Sequence, residues 1–303
     1  MMSWRRFFRV ILPLLVLPFT TSTPLPSLLS RDVDQSVFDN LILYSQYAAA
    51  AYCRANNDSP NTKLTCAAGN CPLVEAADTI TRSEFQRTFL TDNTGYLALS
   101  HTSQKIVLAF RGSQSVQNFL NNLNFPFKPV EYCAGCFVHG GFNLAWKEVR
   151  ANVIDDLVAA RTAHPDYELV ITGHSLGGAL ASLAAADLRS EGYPSALYTY
   201  GSPRVGNDAW TDFVTAQPGG NFRVTHGSDP VPRIAPVLLA FRHISPEYFI
   251  RDMENGNVGP EDVRVLEGGI NWFGNSGTFF FDIEAHLDYF GKIASCGDGL
   301  FGR

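Results

Sequence analysis

The sequence predicts an α/β fold with a mainly parallel central sheet flanked by helices, and three observations lead there. Compact apolar runs the length of buried strands alternate with longer segments of helical periodicity. One such run, Glu168-Leu-Val-Ile-Thr172, passes through a glycine-bearing turn straight into an alanine-rich helix. From Asp32 onward no repeat, low-complexity tract or linker breaks the alternation, so residues 32–303 read as a single domain.

Residues 1–31 stand outside that fold. Arg5, Arg6 and Arg9 precede an apolar run from Val10 to Phe19, and small residues follow at Thr20 to Thr23. This is the layout of a signal peptide, with Pro24 to Arg31 as a short pro-segment. A ten-residue run holding Pro13 and Pro18 cannot span a bilayer, which needs about 20 apolar residues. Export is expected, and no stable membrane insertion. Loss of residues 1–31 removes four arginines and no acid, leaving 19 Lys+Arg against 29 Asp+Glu and a net charge of −10. So acidic a protein lacks the basic footprint that nucleic acid requires. At 46% hydrophobic and 17% charged residues, disorder is excluded as well. The six cysteines Cys53, Cys66, Cys71, Cys133, Cys136 and Cys296 suit an oxidising compartment, but composition cannot choose among 15 pairings. Cys133-Ala-Gly-Cys136 could instead be a redox or zinc pair, although no second pair completes a metal site.

Asp34 to Tyr52 is predicted helical, with Val37, Leu41, Tyr44, Ala48 and Ala51 on one face and Asp34 as N-cap. Lys105 to Phe110 is a buried strand. After it, Val116, Phe119, Leu120 and Leu123 fall at i, i+3, i+4 and i+7, an apolar helical face in a stretch uncharged from Gly112 to Phe127. Phe142, Trp146, Val149, Val153, Leu157 and Ala160 share the stripe of a long helix over Phe142 to Thr162. The strand Glu168–Thr172 and a helix from Ser175 to Ser190 follow, then strands Ala196–Tyr200 and Phe222–His226. The C-terminal third is less regular.

Gly173-His-Ser-Leu-Gly177 fits G-x-S-x-G, and its setting between a strand and a helix makes a nucleophile elbow. Glycines two residues either side of Ser175 let the strand and helix backbones approach, and the helix N-terminus brings positive potential and free N–H groups. The alternative is a serine in an ordinary tight turn. A serine hydroxyl needs a base and an orienting acid, which in this sheet type follow in the order Ser, Asp or Glu, His. Asp229 lies in the turn Gly227-Ser-Asp-Pro230 after a predicted strand, and either His243 or His286 can follow it as base. His226 precedes Asp229 and reads as a strand residue with a structural hydrogen bond. The backbone N–H of Leu176, next after the nucleophile, is an expected oxyanion donor.

Over nearly all of residues 32–303 the chain resembles the secreted triacylglycerol lipases of filamentous fungi, the class 3 lipases. The likeness rests on Tyr47-Ala-Ala-Ala-Ala-Tyr-Cys53, Phe110-Arg-Gly-Ser113, Asn122-Leu-Asn124, Gly173-His-Ser-Leu-Gly-Gly178, Tyr200-Gly-Ser-Pro-Arg-Val-Gly-Asn207, Asp229-Pro-Val-Pro-Arg233, Ser245-Pro-Glu-Tyr248 and Ala285-His-Leu287, in that order. The resemblance implies an α/β-hydrolase-type fold with a short helical lid formed by Val116, Phe119, Leu120 and Leu123. It assigns Ser175, Asp229 and His286 as the triad, and Ser113 with Leu176 as the oxyanion hole. It also implies the pairs Cys53–Cys296, Cys66–Cys71 and Cys133–Cys136. His139-Gly-Gly-Phe142 is a rival oxyanion loop, like that of other esterases. Phe119 and Asp288 stand where near relatives carry tryptophan, and Pro236 to Phe241 is an apolar run that could lengthen or seal the acyl groove.

The expected activity is hydrolysis of glyceride esters, triacylglycerols above all, at an oil–water interface by a monomer without metal or organic cofactor. An esterase for feruloyl or other soluble esters, a phospholipase, and a non-catalytic lipid-binding protein are the competing readings.

Overall fold

The computed structural model describes residues 33–86, 88, 91–115, 126–251 and 258–296. Helix α1 (Gln35–Ala50) comes first and buries Phe38, Leu41, Tyr44, Tyr47, Ala48 and Ala50. Of the expected face, Leu41, Tyr44, Ala48 and Ala51 are buried. Val37 is only half-buried, and Phe38 takes its place because the larger ring fits edge-on against Phe290 at 5.6 Å. Asp34 occupies the N-cap position without a side-chain capping bond. A short helix α2 (Pro72–Ala76) follows.

Among the described residues the strands are β1 (Thr79–Phe85), β2 (Gly95–Ser100), β3 (Lys105–Phe110), β4 (Phe127–Pro129), β5 (Phe137–His139), β6 (Glu168–His174), β7 (Ser195–Tyr200), β8 (Asn221–His226), β9 (Glu247–Ile250) and β10 (Val263–Leu266). Eight of them form one sheet in the order β1-β2-β3-β6-β7-β8-β9-β10, and β4 pairs with β5 apart from it. The five strands from β3 to β9 run parallel, while β1, β2 and β10 join antiparallel at the two edges. Helix α3 (Gly140–Ala163) lies between β5 and β6, and α4 (Leu176–Ser190) between β6 and β7. Helix α5 (Asp208–Ala216) precedes β8, and the short α6 (Ile283–Leu287) comes after β10.

Because strand side chains alternate between faces, the sheet sorts its core in two. Val107, Ala109, Val170, Tyr198 and Val224 pack with α1 on one face. Ile106, Leu108, Ile171 and Leu197 pack with α3 and α4 on the other. All six residues of the expected α3 stripe are buried. Parallel pairing aligns the ends of successive strands, with Phe110 beside Gly173, His174 beside Tyr200, and Tyr200 beside Val224. The loops leaving β3, β6, β7 and β8 therefore meet along one edge of the sheet, the usual place for a site in open α/β sheets.

Three disulfides join Cys53 to Cys296, Cys66 to Cys71 and Cys133 to Cys136, so the last pair is neither a zinc nor a dithiol site. No helix among the described residues is long and apolar enough to cross a membrane.

Candidate active site

Ser175 sits between β6 and α4 with φ 58° and ψ −127°, a conformation that costs a non-glycine residue about 1–3 kcal/mol. The turn is held by Ser175 N–H donating to Tyr200 O on the neighbouring strand and by Gly178 N–H donating to Ser175 O, both at 2.9 Å. A Cβ on Gly173 would come within 2.3 Å of Gly177 O, and one on Gly177 within 2.2 Å of Phe110 O. Both positions therefore require glycine for the strand and helix to touch. The side chain that results is buried, and its Oγ has no hydrogen-bond partner among the described residues.

Asp229 and His286 are also buried, and their side chains meet across 57 residues of sequence, His286 Nδ1 to Asp229 Oδ2 at 2.8 Å. The carboxylate receives two further bonds. Tyr289 O–H donates to Oδ2 at 2.5 Å, and Val231 N–H donates to Oδ1 at 2.8 Å. Burial first, and then the charge of Asp229, pushes the Tyr289 hydroxyl well above its ordinary value, so it remains a donor. Since a carboxylate only accepts, the His286 proton lies on Nδ1, which leaves the Nε2 lone pair free. Nε2 is buried and lacks a partner among the described residues, like Ser175 Oγ. Asn275 Nδ2 donates to Asp229 O at 2.8 Å, and Asp282 caps α6, the helix that carries His286, by accepting from Glu284 N–H. A Cβ on Gly201, whose φ is +57°, would fall 2.9 Å from both Asp229 Oδ2 and His286 Nδ1.

The residue before the serine has its own network. His174 Nε2 donates to the backbone oxygen of His286 at 2.8 Å, which fixes the tautomer and makes Nδ1 the acceptor for the Tyr52 hydroxyl at 2.7 Å. Burial, and then the neighbouring His286, holds the His174 pKa well below the usual histidine range. Gly112 closes the circle. A Cβ there would lie 2.2 Å from the Tyr52 hydroxyl and 2.9 Å from Ser175 Cβ. The β3 loop thus passes against the serine, and Ser113, half-buried, is the next residue along it. Leu176 is the first residue of α4, where N–H groups lack intrahelical acceptors.

His243 and His226 bond to backbone oxygens rather than to the Asp229 carboxylate. His243 Nε2 donates to Pro232 O at 2.7 Å, and His226 Nδ1 faces the backbone oxygens of Ala285 and Asp288. His139 is the N-cap of α3, accepting from Phe142 N–H at 3.2 Å and stacking on that ring. Val116, Phe119, Leu120 and Leu123 lie outside the described residues. In the apolar run Pro236 to Phe241, Phe241 is buried on Phe127, whereas Leu238 and Leu239 are exposed. Tyr289, Tyr52 and Gly201 were not anticipated as parts of the site. A tyrosine near an apolar segment reads as core, and only Tyr200-Gly-Ser-Pro203 held a visible signal, a glycine directly after a strand.

A serine on a strained strand–helix turn, with a buried His–Asp pair bonded to the backbone next to it through His174, defines an α/β-hydrolase of the serine type. Residues 107–239 match the class 3 lipases and residues 13–82 the lipase 3 N-terminal region. The chain is 45% identical over 277 residues to secreted mono- and diacylglycerol lipase A of Penicillium cyclopium, covering 89% of this chain and 90% of that protein. It is 42% identical over 294 residues to secreted mono- and diacylglycerol lipase 1 of Fusarium solani, covering 93% and 87%. The crystal structure of the mono- and diacylglycerol lipase from Aspergillus oryzae is similar with a TM-score of 0.82 and 41% identity, over 87% of this chain and 99% of that one. The chain belongs to the class 3 lipase family.

Proposed function

We propose that this chain is an exported glyceride lipase working by a Ser175–His286–Asp229 acyl-enzyme mechanism. Two observations carry the reading: a buried His286 held by Asp229 through Nδ1 with Nε2 unpartnered among the described residues, and an equally unpartnered Ser175 Oγ at a strained elbow whose preceding residue, His174, is bonded to the backbone of His286. Ser175 Oγ attacks the ester carbonyl as its proton passes to His286 Nε2. The tetrahedral species collapses, and the alcohol leaves with that proton. Water then attacks the acyl-serine, gives a proton to Nε2, and the carboxylic acid departs as the proton returns to Ser175. Asp229 keeps the proton on Nδ1 and stabilises the transient imidazolium. The Leu176 N–H and the donors of Ser113 hold the oxyanion.

The relatives at 42–45% identity are named for mono- and diacylglycerols. That extends the substrate range from triacylglycerols to partial glycerides. The relatives' designation as secreted, and the three disulfides, support residues 1–31 as a leader and residues 32–303 as the exported unit. Val116, Phe119, Leu120 and Leu123 act as a lid over the site, and the enzyme is a monomer.

The test is a side-by-side assay of emulsified tri-, di- and monoacylglycerols, phospholipids and dissolved aryl esters. Glyceride hydrolysis that rises sharply past the substrate's solubility limit, and that Ser175→Ala abolishes, is expected. Turnover confined to dissolved aryl esters would replace the lipase reading with a soluble-ester esterase.

A further inference from the structure

Between Gly268 and Phe281 the sequence carries no charged residue, although the chain as a whole is strongly acidic. The structure leaves the aromatic side chains of this run in water. Phe279, Phe280 and Phe281 are 90%, 80% and 76% exposed, and Trp272 and Phe273 72% and 70%. Single exposed rings are ordinary, but five exposed aromatic side chains within ten residues are the kind of apolar concentration that marks an interaction surface.

The segment is pinned rather than loose. Arg233 Nη1 donates to Thr278 O at 2.7 Å, its Nη2 donates to Phe280 O and to Ser228 O, and its guanidinium lies 4.5 Å from the centre of the Phe281 ring. Asp282 N–H donates to Ser228 O at 3.1 Å. The rings therefore hang from the same loops that hold Asp229 and lead into the His286 helix. Asn275, between the two aromatic groups, is bonded to Asp229 O. The aromatic run is thus bonded directly to the loop that carries Asp229.

We propose that Trp272–Phe273 and Phe279–Phe281 form a lipid-docking surface that enters the substrate-bearing interface independently of segment 116–123. The proposal rests on the lipase reading. A lipid surface is the occupant because the run itself carries no charge, is rich in exposed aromatic rings suited to the headgroup–acyl boundary, and is bonded to the loop that carries Asp229, with the Arg233 cation at its base against the Phe281 ring. A second copy of the chain is the competing occupant.

Trp272 supplies the probe. Trp146 and Trp210 are buried, so among the described residues Trp272 is the tryptophan that a lipid surface can reach. The experiment uses the Ser175→Ala protein, which spares the lipid, with phosphatidylcholine vesicles containing dioleoylglycerol. Tryptophan emission is expected to shift to the blue and to be quenched by brominated lipid, and both effects should vanish with Trp272→Phe. Partitioning of Phe279→Ser/Phe280→Ser/Phe281→Ser should weaken by about a hundredfold, as three rings no longer leave water. Leu73→Ser/Val158→Ser, at exposed apolar sites elsewhere, should partition like the parent. Thermal unfolding confirms that the triple variant is folded, and the Trp272 signal decides the matter without it. Vesicle binding with no change in Trp272 emission overturns the proposal. So does a parent that dimerises in sedimentation while its triple variant does not. Hydrolysis of the same dioleoylglycerol by the unsubstituted protein is read separately, so a failed lipase reading is distinguishable from failed docking.

Discussion

His174 shows how much of the site depends on a neutral imidazole. Its Nδ1 accepts from Tyr52 and its Nε2 donates to the backbone of His286, so protonation would break the first bond and set a charge 4.5 Å from the His286 ring. His243 is similarly buried, and burial followed by Arg223 and Arg204 holds its pKa well below the usual range. For both, the folded pKa is below the ordinary histidine value of 6.5, so the unfolded chain binds more protons in between. Their contribution to stability is complete above about pH 6.5 and is lost as the pH falls, by up to about 1.4 kcal/mol per pH unit for each histidine. Denaturant titrations between pH 7.5 and 5 should show this slope, and His243→Gln, which can still donate to Pro232 O, should lower it by about one proton. An unchanged slope in that variant would remove His243 from the explanation.

At the scale of elements, the turn after β7 controls the approach of the His–Asp pair. Gly201→Ala would push a methyl group against both Asp229 Oδ2 and His286 Nδ1. A displacement on this scale should cost about a hundredfold in kcat, with KM for a dissolved ester little changed. Stopped assays of the purified variant would measure both, and wild-type kcat would show that the pair tolerates the shift. The elements differ in how openly the sequence announces them. Strands β3, β6 and β7 are buried on both faces and read as largely apolar runs, whereas β8, equally buried, is mostly polar in sequence. Strand β1, Thr79-Ile-Thr-Arg-Ser-Glu-Phe85, lies at the sheet edge with a half-polar pattern and was missed, as were the short strands β9 and β10. Ser175 was legible because strand, turn and helix are local. The choice of His286 over His243 was not, since the bond to Asp229 spans 57 residues and only the family likeness, and then the fold, separates them.

Across the whole molecule, the Cys53–Cys296 disulfide ties the segment after α1 to the C-terminal segment over a separation of 243 residues. In the chain-entropy model closing so long a loop stabilises by about 5 kcal/mol, and the Cys66–Cys71 loop by only about 2 kcal/mol. Calorimetry of the paired serine variants should rank them in that order, and a larger loss from Cys66→Ser/Cys71→Ser would argue against the long staple as the main constraint. The same staple lies on the side of the sheet where α1 packs, and Tyr52, next to Cys53, reaches His174 beside the nucleophile. Stability and chemistry thus converge on one serine. The most direct measurement is labelling with an alkyl phosphonate ester, followed by peptide mapping and titration of residual activity. One phosphonate per chain on Ser175, with glyceride hydrolysis falling in proportion, is the predicted result. Modification at another residue, or undiminished hydrolysis by a chain fully labelled at Ser175, would contradict it.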